Sequence, residues 1–334
     1  MTKRWAGSIG GAALSLALLL GPGCDRADSG GGGGGGGASS AAGKTIGVIP
    51  KGTSHVFWKS VKAGAEKAGA ELGVAIKWDG PPDEKEINTQ TRLIGDMINR
   101  GVDALVVAPV DQTALTTSLE DAKKRMPVVV FDSGSDFTDY TAFVATDNYK
   151  GGQLAGRHMV KLLEGKRGVE LAMIRYAAGS ASTMAREQGF LDEVTKARPD
   201  VKVYSDQFAG STGDEASRLM SNLLQAHPNL TAIYASNEST TRGALGALDQ
   251  AKKLGQVTFV GFDASPELAD ALDKGQIQAL VLQDPMKMGY LSVQAAVAAI
   301  RGEPVAKEQP IEPALATPEN KDQPAIKQVL RPTF

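Results

Sequence analysis

The residues with the most chemistry in this chain fall just after apolar runs. Lys51, His55, Phe57 and Trp58 follow the first run, Asp132 and Ser133 a later one, and Asn237, Asp263 and Gln283 end three more. Arg186 lies in an amphipathic segment among them. Carboxylates accept hydrogen bonds, guanidinium and amide groups donate them, and bonds to charged groups are the stronger ones. Aromatic faces cover apolar C–H surface. Together these types suit a small, hydroxyl-rich ligand of carbohydrate type. The pattern does not suit catalysis, and no enzyme is expected. No Gly-x-Gly-x-x-Gly follows the first run, no Gly-x-Ser-x-Gly turn occurs, and no nucleophile stands with a plausible base. Gly43-Lys44-Thr45 is not a phosphate loop, because Ala38 holds its upstream glycine position and the triplet precedes its strand. His55, His158 and His227 lack ligand spacing, so neither a metal nor another cofactor is expected.

Each of these residues also has a plainer use. Phe57 and Trp58 could be core residues at a helix start. Two adjacent bulky aromatics should not both face one core, which favours a cleft. Asp132 and Asp263 could cap turns, and Asn237 the next helix. Arg186 could be an exposed helix cation paired with Glu187 or Asp192, and Gln283, before Asp284-Pro285, could punctuate a strand end. Asp147 and Asn148 read as caps. His227 reads as a helix terminus and His158 as a helix-face residue.

The elements that must position these side chains alternate regularly. Runs 45–50, 74–78, 104–108 and 128–131 are short, rich in β-branched residues and bounded by Gly, Pro or Asp, and they read as buried parallel strands. Between them, 56–72, 85–100 and 113–125 carry apolar residues at helical spacing. The pattern pauses at 133–140 and then repeats. Strands are expected at 169–175, 201–208, 232–235, 257–262 and 277–283, with helices at 183–196, 211–227, 240–250, 265–274 and 286–301. The tail after Gly302 is expected to be mostly extended. The fold class is therefore α/β, as two doubly wound parallel-sheet lobes in tandem. Ligands of such sheets bind outside the carboxyl ends of the strands, here in the cleft between lobes.

The N-terminus is a separate matter. A basic start with Lys3 and Arg4, an apolar stretch 9–20 and Gly21-Pro22-Gly23-Cys24 resemble a lipoprotein signal, with Cys24 the lipidated residue. The apolar stretch is too short to span a bilayer, which takes about 20 residues. Cleavage by the ordinary signal peptidase, with Cys24 incidental, is the alternative. Cys24 is the single cysteine, so no internal disulfide is possible. Eight glycines at 30–37 lie within a flexible tether, 25–43. The net charge of −2 offers no basic field to a nucleic acid, so no such partner is expected.

Residues 45–62, the strand end Val129-Val130-Phe131-Asp132, the segment Val144-Ala145-Thr146-Asp147-Asn148, and Val260-Gly261-Phe262-Asp263 resemble ribose-binding proteins of the periplasmic-binding-protein family. That family also supplies the ligand domains of lactose-repressor-like regulators. The resemblance runs in order over nearly all of 44–311. It implies a type I periplasmic-binding-protein fold whose lobes are joined by a three-strand hinge, crossing near Thr146, Gln283–Asp284 and Ile311–Glu312. Lobe one would be 44–146 plus 284–311, and lobe two 147–283 plus 312–334. It also implies a monomeric, extracytoplasmic solute receptor, anchored by lipid, that delivers a monosaccharide or polyol to the permease of an ABC transporter. The alternative is a sugar or autoinducer sensor read by a chemoreceptor or histidine kinase. By the same resemblance, Phe57 and Trp58 sandwich the sugar, and His55 stands where the family often has Asn. Asp132, Arg186, Asn237, Asp263 and Gln283 bond hydroxyls. Ser133 replaces an Arg and Lys51 a small hydroxyl residue, so ribose itself is not expected to be the best ligand. A hexose, polyol or sugar acid is expected instead. Lys51 either reaches the ligand or lies on the rim in water.

Overall fold

The computed structural model describes residues 41–332. The signal, Cys24 and nearly all of the glycine tether lie outside the described residues. Strands β1 (Thr45–Ile49), β2 (Ala75–Trp78), β3 (Ala104–Val107), β4 (Val128–Phe131) and β5 (Ala142–Thr146) alternate with α1 (Val56–Leu72), α2 (Ile87–Asn99) and α3 (Thr116–Lys123). Then come α4 (Asn148–Leu162), β6 (Glu170–Ile174), α5 (Ala181–Ala197), β7 (Lys202–Tyr204), α6 (Gly213–Ala226) and β8 (Leu230–Ala235). The chain continues with α7 (Glu238–Gln250), β9 (Thr258–Phe262), α8 (Pro266–Asp273), β10 (Ala279–Leu282) and α9 (Pro285–Ile300). It closes with β11 (Glu308–Ile311), β12 (Ala314–Ala316) and α10 (Pro324–Leu330).

Two six-stranded sheets result, in the orders β11-β5-β4-β3-β1-β2 and β12-β10-β9-β8-β6-β7. All pairings are parallel except β12 against β10. Parallel sheets need both faces covered, and the β4 side chains show how. Val129 and Phe131 join the core beneath α1 and α9, while Val128 and Val130 join the core with residues of α2 and α3. Each such buried side chain contributes about 1.5–3 kcal/mol. The second sheet is covered by α4 and α5 on one face and by α6, α7 and α8 on the other. The chain passes between sheets after β5, after β10 and after β11.

Six elements depart from the sequence reading. β5 and α4 occupy a stretch where no element was expected. The buried face of α4 carries Gly151, Gly152 and Gly156, which dilute the apolar periodicity that would have marked a helix. The tail is not simply extended, since it forms the two edge strands β11 and β12 and then the short helix α10. The expected strand 201–208 is only Lys202–Tyr204, with a single further bridge from Phe208 to Arg175.

The glycines of α4 and α1 have a packing reason. A Cβ on Gly152 would strike the backbone of Arg186 in α5, and one on Gly189 would strike Tyr149 in α4. In the other half, a Cβ on Gly64 would strike the Met286 carbonyl of α9, and one on Gly289 the Val61 carbonyl of α1. Helices α1 and α9, and likewise α4 and α5, thus touch backbone to backbone. Gly64→Ala is expected to lower unfolding free energy by about 1–3 kcal/mol through overpacking. Gly95→Ala, in α2 with nothing near its Cβ, should raise it by about 0.4–1 kcal/mol. Urea denaturation of the two variants checks the opposite signs.

Candidate functional site

The two sheets present their carboxyl ends to one another, and equivalent strands end alike. β4 ends Val-Phe-Asp132 and β9 ends Gly-Phe-Asp263. Both aspartates take left-handed backbone conformations, with φ of 62° and 70°. That region is disfavoured for L-residues, and Asp is among the few that tolerate it. Both amides still bond the neighbouring strand, Asp132 to Val144 and Asp263 to Val281. The strain therefore turns each carboxylate off its sheet without breaking the ladder. Both line a cavity of about 20 Å³ between the sheets, shared with Lys51, His55, Phe57, Trp58, Arg186, Asn237 and Gln283. The sequence-derived residues thus come together, Ser133 excepted, which lies just behind.

Lys51 is not on a rim in water. It is 3% exposed, its ammonium lies 3.0 Å from Asp132, and it donates to Ser182 Oγ at 3.0 Å and Ser180 Oγ at 3.4 Å. An ammonium has three protons, so all are used by protein acceptors. The Ser182 amide donates to Ser133 Oγ at 3.1 Å. Together these bonds tie the end of β1 and the end of β4 to the first turn of α5 in the other half. Asp132 and Asp263 are 3% and 5% exposed and paired, and removing Asp132 would strand a buried cation, at about 3–5 kcal/mol.

Glu84 was not anticipated. It follows β2 in Pro81-Pro82-Asp83-Glu84, which reads as loop punctuation. Its one usable signal was position, because it too stands beyond a strand end. Its carboxylate meets His55 Nδ1 at 2.7 Å and accepts from Trp58 Nε1 at 2.7 Å and, across the cleft, from the Tyr176 hydroxyl at 3.0 Å. Burial alone would drive His55 neutral, but Glu84, helped by Glu238 and Asp263, outweighs it and lifts the imidazolium to about 9. Burial would likewise raise Glu84, yet the charges of His55 and Lys51 and the hydrogen bonds from His55 and Trp58 hold it down at about 2.

Phe57 and Trp58 are 8% and 2% exposed and belong to one core cluster, packed edge to face at 4.8 Å, with Trp58 edge-on to Phe131 at 6.1 Å. The premise that adjacent aromatics cannot share a core fails here. Their position at the start of α1 lets both pack inward while bordering the cavity.

Around Asp263, Gln283 donates to Oδ1 at 2.7 Å and accepts from Thr146, at the end of β5, at 2.7 Å. Arg186 is buried rather than an exposed helix cation. It donates to Asn148 Oδ1 at 2.8 Å and to the Ser236 carbonyl at 3.0 Å, lies over the Phe262 ring, and reaches Asp263 only at 3.9 Å. Asp147 caps α4, whereas Asn148 is no cap and instead positions Arg186. Asn237 does cap α7, accepting from Thr240, and still borders the cavity. Glu238, also missed, feels the charge of His55 but accepts no side-chain hydrogen bond among the described residues. It accepts from the amides of Val56 and Phe57, at 3.3 and 3.1 Å, and so caps α1 from the opposite half where His55 supplies no side-chain cap. Burial raises the pKa of both Asp263 and Glu238.

Known proteins show the same architecture. A model of the periplasmic binding protein domain matches residues 46–304. The ribose import binding protein of Bacillus subtilis is 31% identical over 265 residues, covering 79% of this chain and 84% of its own. The D-allose-binding periplasmic protein of Escherichia coli is 31% identical over 258 residues, covering 75% and 82%. A solved carbohydrate transporter solute binding protein from Agrobacterium radiobacter, in complex with D-arabinose, superposes with a TM-score of 0.84 at 32% identity. That match covers 87% of this chain and 100% of the other.

The His55–Glu84 pair sets a pH window. His55 rises from an ordinary 6.5 to about 9, so its contribution is complete below 6.5 and vanishes as pH rises through 9. Glu84 falls from 4.5 to about 2, so its contribution is complete above 4.5 and vanishes as pH falls through 2. Melting temperatures of wild type and His55→Gln should therefore converge between pH 6.5 and 9 as the wild type loses its advantage. Parallel curves across that window would show that His55 is not charged in the fold.

Proposed function

The chain belongs to the periplasmic binding protein family, in its ribose-binding group, and on that premise we propose that it is a solute receptor for a monosaccharide or related polyol, delivering it to an ABC transporter. Its relatives in this family are substrate-binding proteins of transporters rather than enzymes. The observation that carries the reading is the meeting, between the ends of both sheets, of Asp132 and Lys51 from one half with Asp263, Arg186 and Gln283 from the other. A hydroxyl both donates and accepts, so a polyol can bond carboxylates such as Asp132 and Asp263 and donors such as Arg186 and Gln283 at once. Phe57 and Trp58 border the same space and offer apolar surface to the C–H side of a ring.

A cavity of about 20 Å³ is far below the roughly 300–1,000 Å³ of ligand pockets, so admitting a monosaccharide requires the halves to part. We assign that motion to the three crossings near Thr146, Gln283–Asp284 and Ile311–Glu312. Residues 44–146 with 284–311 move as one lobe and 147–283 with 312–334 as the other. Ligand then stabilises the closed form by its preference for that form. Lys51 acts as part of the closure rather than as a direct ligand contact, since its protons are taken. Among the described residues no helix is long and apolar enough to cross a membrane. Attachment is assigned to a lipid on Cys24, with 25–43 as the tether and the monomeric body in the extracytoplasmic space.

A thermal-shift screen with D-ribose, D-allose, D-arabinose, D-fucose and polyols tests the main reading. A true ligand at a hundred times its dissociation constant adds about 2.7 kcal/mol of stability. A flat response to every sugar and polyol would refute it. For the anchor, wild-type protein should sediment with membranes, and Cys24→Ser should be released or remain an uncleaved precursor. Soluble mature wild type, cleaved elsewhere, would refute lipidation.

A further inference from the structure

We propose, resting on the monosaccharide reading above, that the preferred ligand carries a protonated amino group and that Glu238 selects it. The cavity is bordered by four carboxylates, Glu84, Asp132, Glu238 and Asp263, and three cations, Lys51, His55 and Arg186. Three of the carboxylates have cation partners within the protein: Asp132 with Lys51 at 3.0 Å, Glu84 with His55 at 2.7 Å, and Asp263 with Arg186 at 3.9 Å. Glu238 is the one left over. It is 2% exposed, and its oxygens meet only the backbone amides of Val56 and Phe57.

The start of α1 offsets part of that charge, since a helix N-terminus is equivalent to about half an elementary charge. The remainder is a buried negative charge beside a second one, because the Glu238 amide itself donates to Asp263 at 2.8 Å. Burial is the leading cause of the raised pKa of both groups; at Glu238 the charge of His55, which is already paired with Glu84, opposes the rise and the charge of Asp263 adds to it. An ammonium on the ligand would supply the missing cation where Glu238 and Asp263 both border the cavity. A neutral sugar would leave the imbalance unrelieved. A sugar acid would add a fifth negative charge to a site whose cations are already engaged, so the acidic ligands expected from Lys51 are disfavoured. An amino sugar or aminopolyol is the class that fits.

Calorimetric titration of the full chain at pH 6, where sugar amines are protonated, decides it. The probes are D-glucose, D-glucosamine and D-glucuronate, their galacto counterparts, D-ribose and D-allose. At least one amino sugar should bind tenfold tighter than its neutral parent, about 1.4 kcal/mol. Glu238→Gln keeps an acceptor oxygen for α1 and should bring amine and parent within twofold, while Glu238→Asp, which keeps the charge, should retain the amine preference. Neutral or acidic forms binding as tightly as the amine, or a preference that survives Glu238→Gln, would overturn the proposal. Binding of no sugar at all would instead remove the monosaccharide reading beneath it, and the proposal with it.

Discussion

A lysine ammonium held at 3% exposure needs a partner for each of its protons, and Lys51 meets that demand with Asp132, Ser182 and Ser180. Much of the molecule is arranged around this. β4 must end in a left-handed aspartate to bring its carboxylate to Lys51, and α5 must begin where its serines can complete the set. Buried ion pairs are weak sources of net stability, because desolvation offsets most of their attraction. Their effect here is selectivity among arrangements. A closure that missed this alignment would leave the Lys51 ammonium without its Ser180 and Ser182 acceptors.

The same logic repeats around the cavity with different parts. Glu84 collects an imidazolium, an indole N–H and a phenol from three directions, two from its own half and one from the other. Glu238 crosses in the reverse sense to cap α1. Thr146, at a crossing between sheets, is hydrogen bonded to Gln283 at another crossing, and Gln283 holds Asp263. Cavity-lining groups and the segments that join the halves are thus one connected network, so whatever contacts Asp263 is felt at the crossings.

The strand–helix alternation was legible because buried parallel strands are short apolar runs whatever covers them, and the ends of those runs pointed to Lys51, Asp132, Asp263 and Gln283. What escaped notice was set by partners distant in sequence. Glu84 reads as loop punctuation because its three donors come from residues 55, 58 and 176. Glu238 looks like an ordinary first-turn acid of α7, and nothing local reveals that it serves α1 as well. Helix α4 was hidden because Gly152 and Gly156, which let it touch α5, remove the apolar side chains by which a helix face is recognised. The aromatic pair misled for a related reason: whether neighbours can share a core depends on the shape of that core.

The order of the strands in the first sheet bears on how the chain is made. β6 to β10 follow one another, so the second sheet can assemble its parallel strands as they emerge. The first sheet cannot, since α9 and β11 arrive only after β6 to β10 have been synthesised, and Thr146 pairs with Ile311 across that interval. Until then β5 is an open edge, and open edges invite pairing with other chains. Domains generally fold as units during synthesis, N-terminal first, so this topology leaves the earliest residues exposed longest. The strand that ends the wait contains Pro310, which has no N–H to offer, and it is the outermost strand of the finished sheet. The late arrival covers one edge and is itself a poor template for another chain.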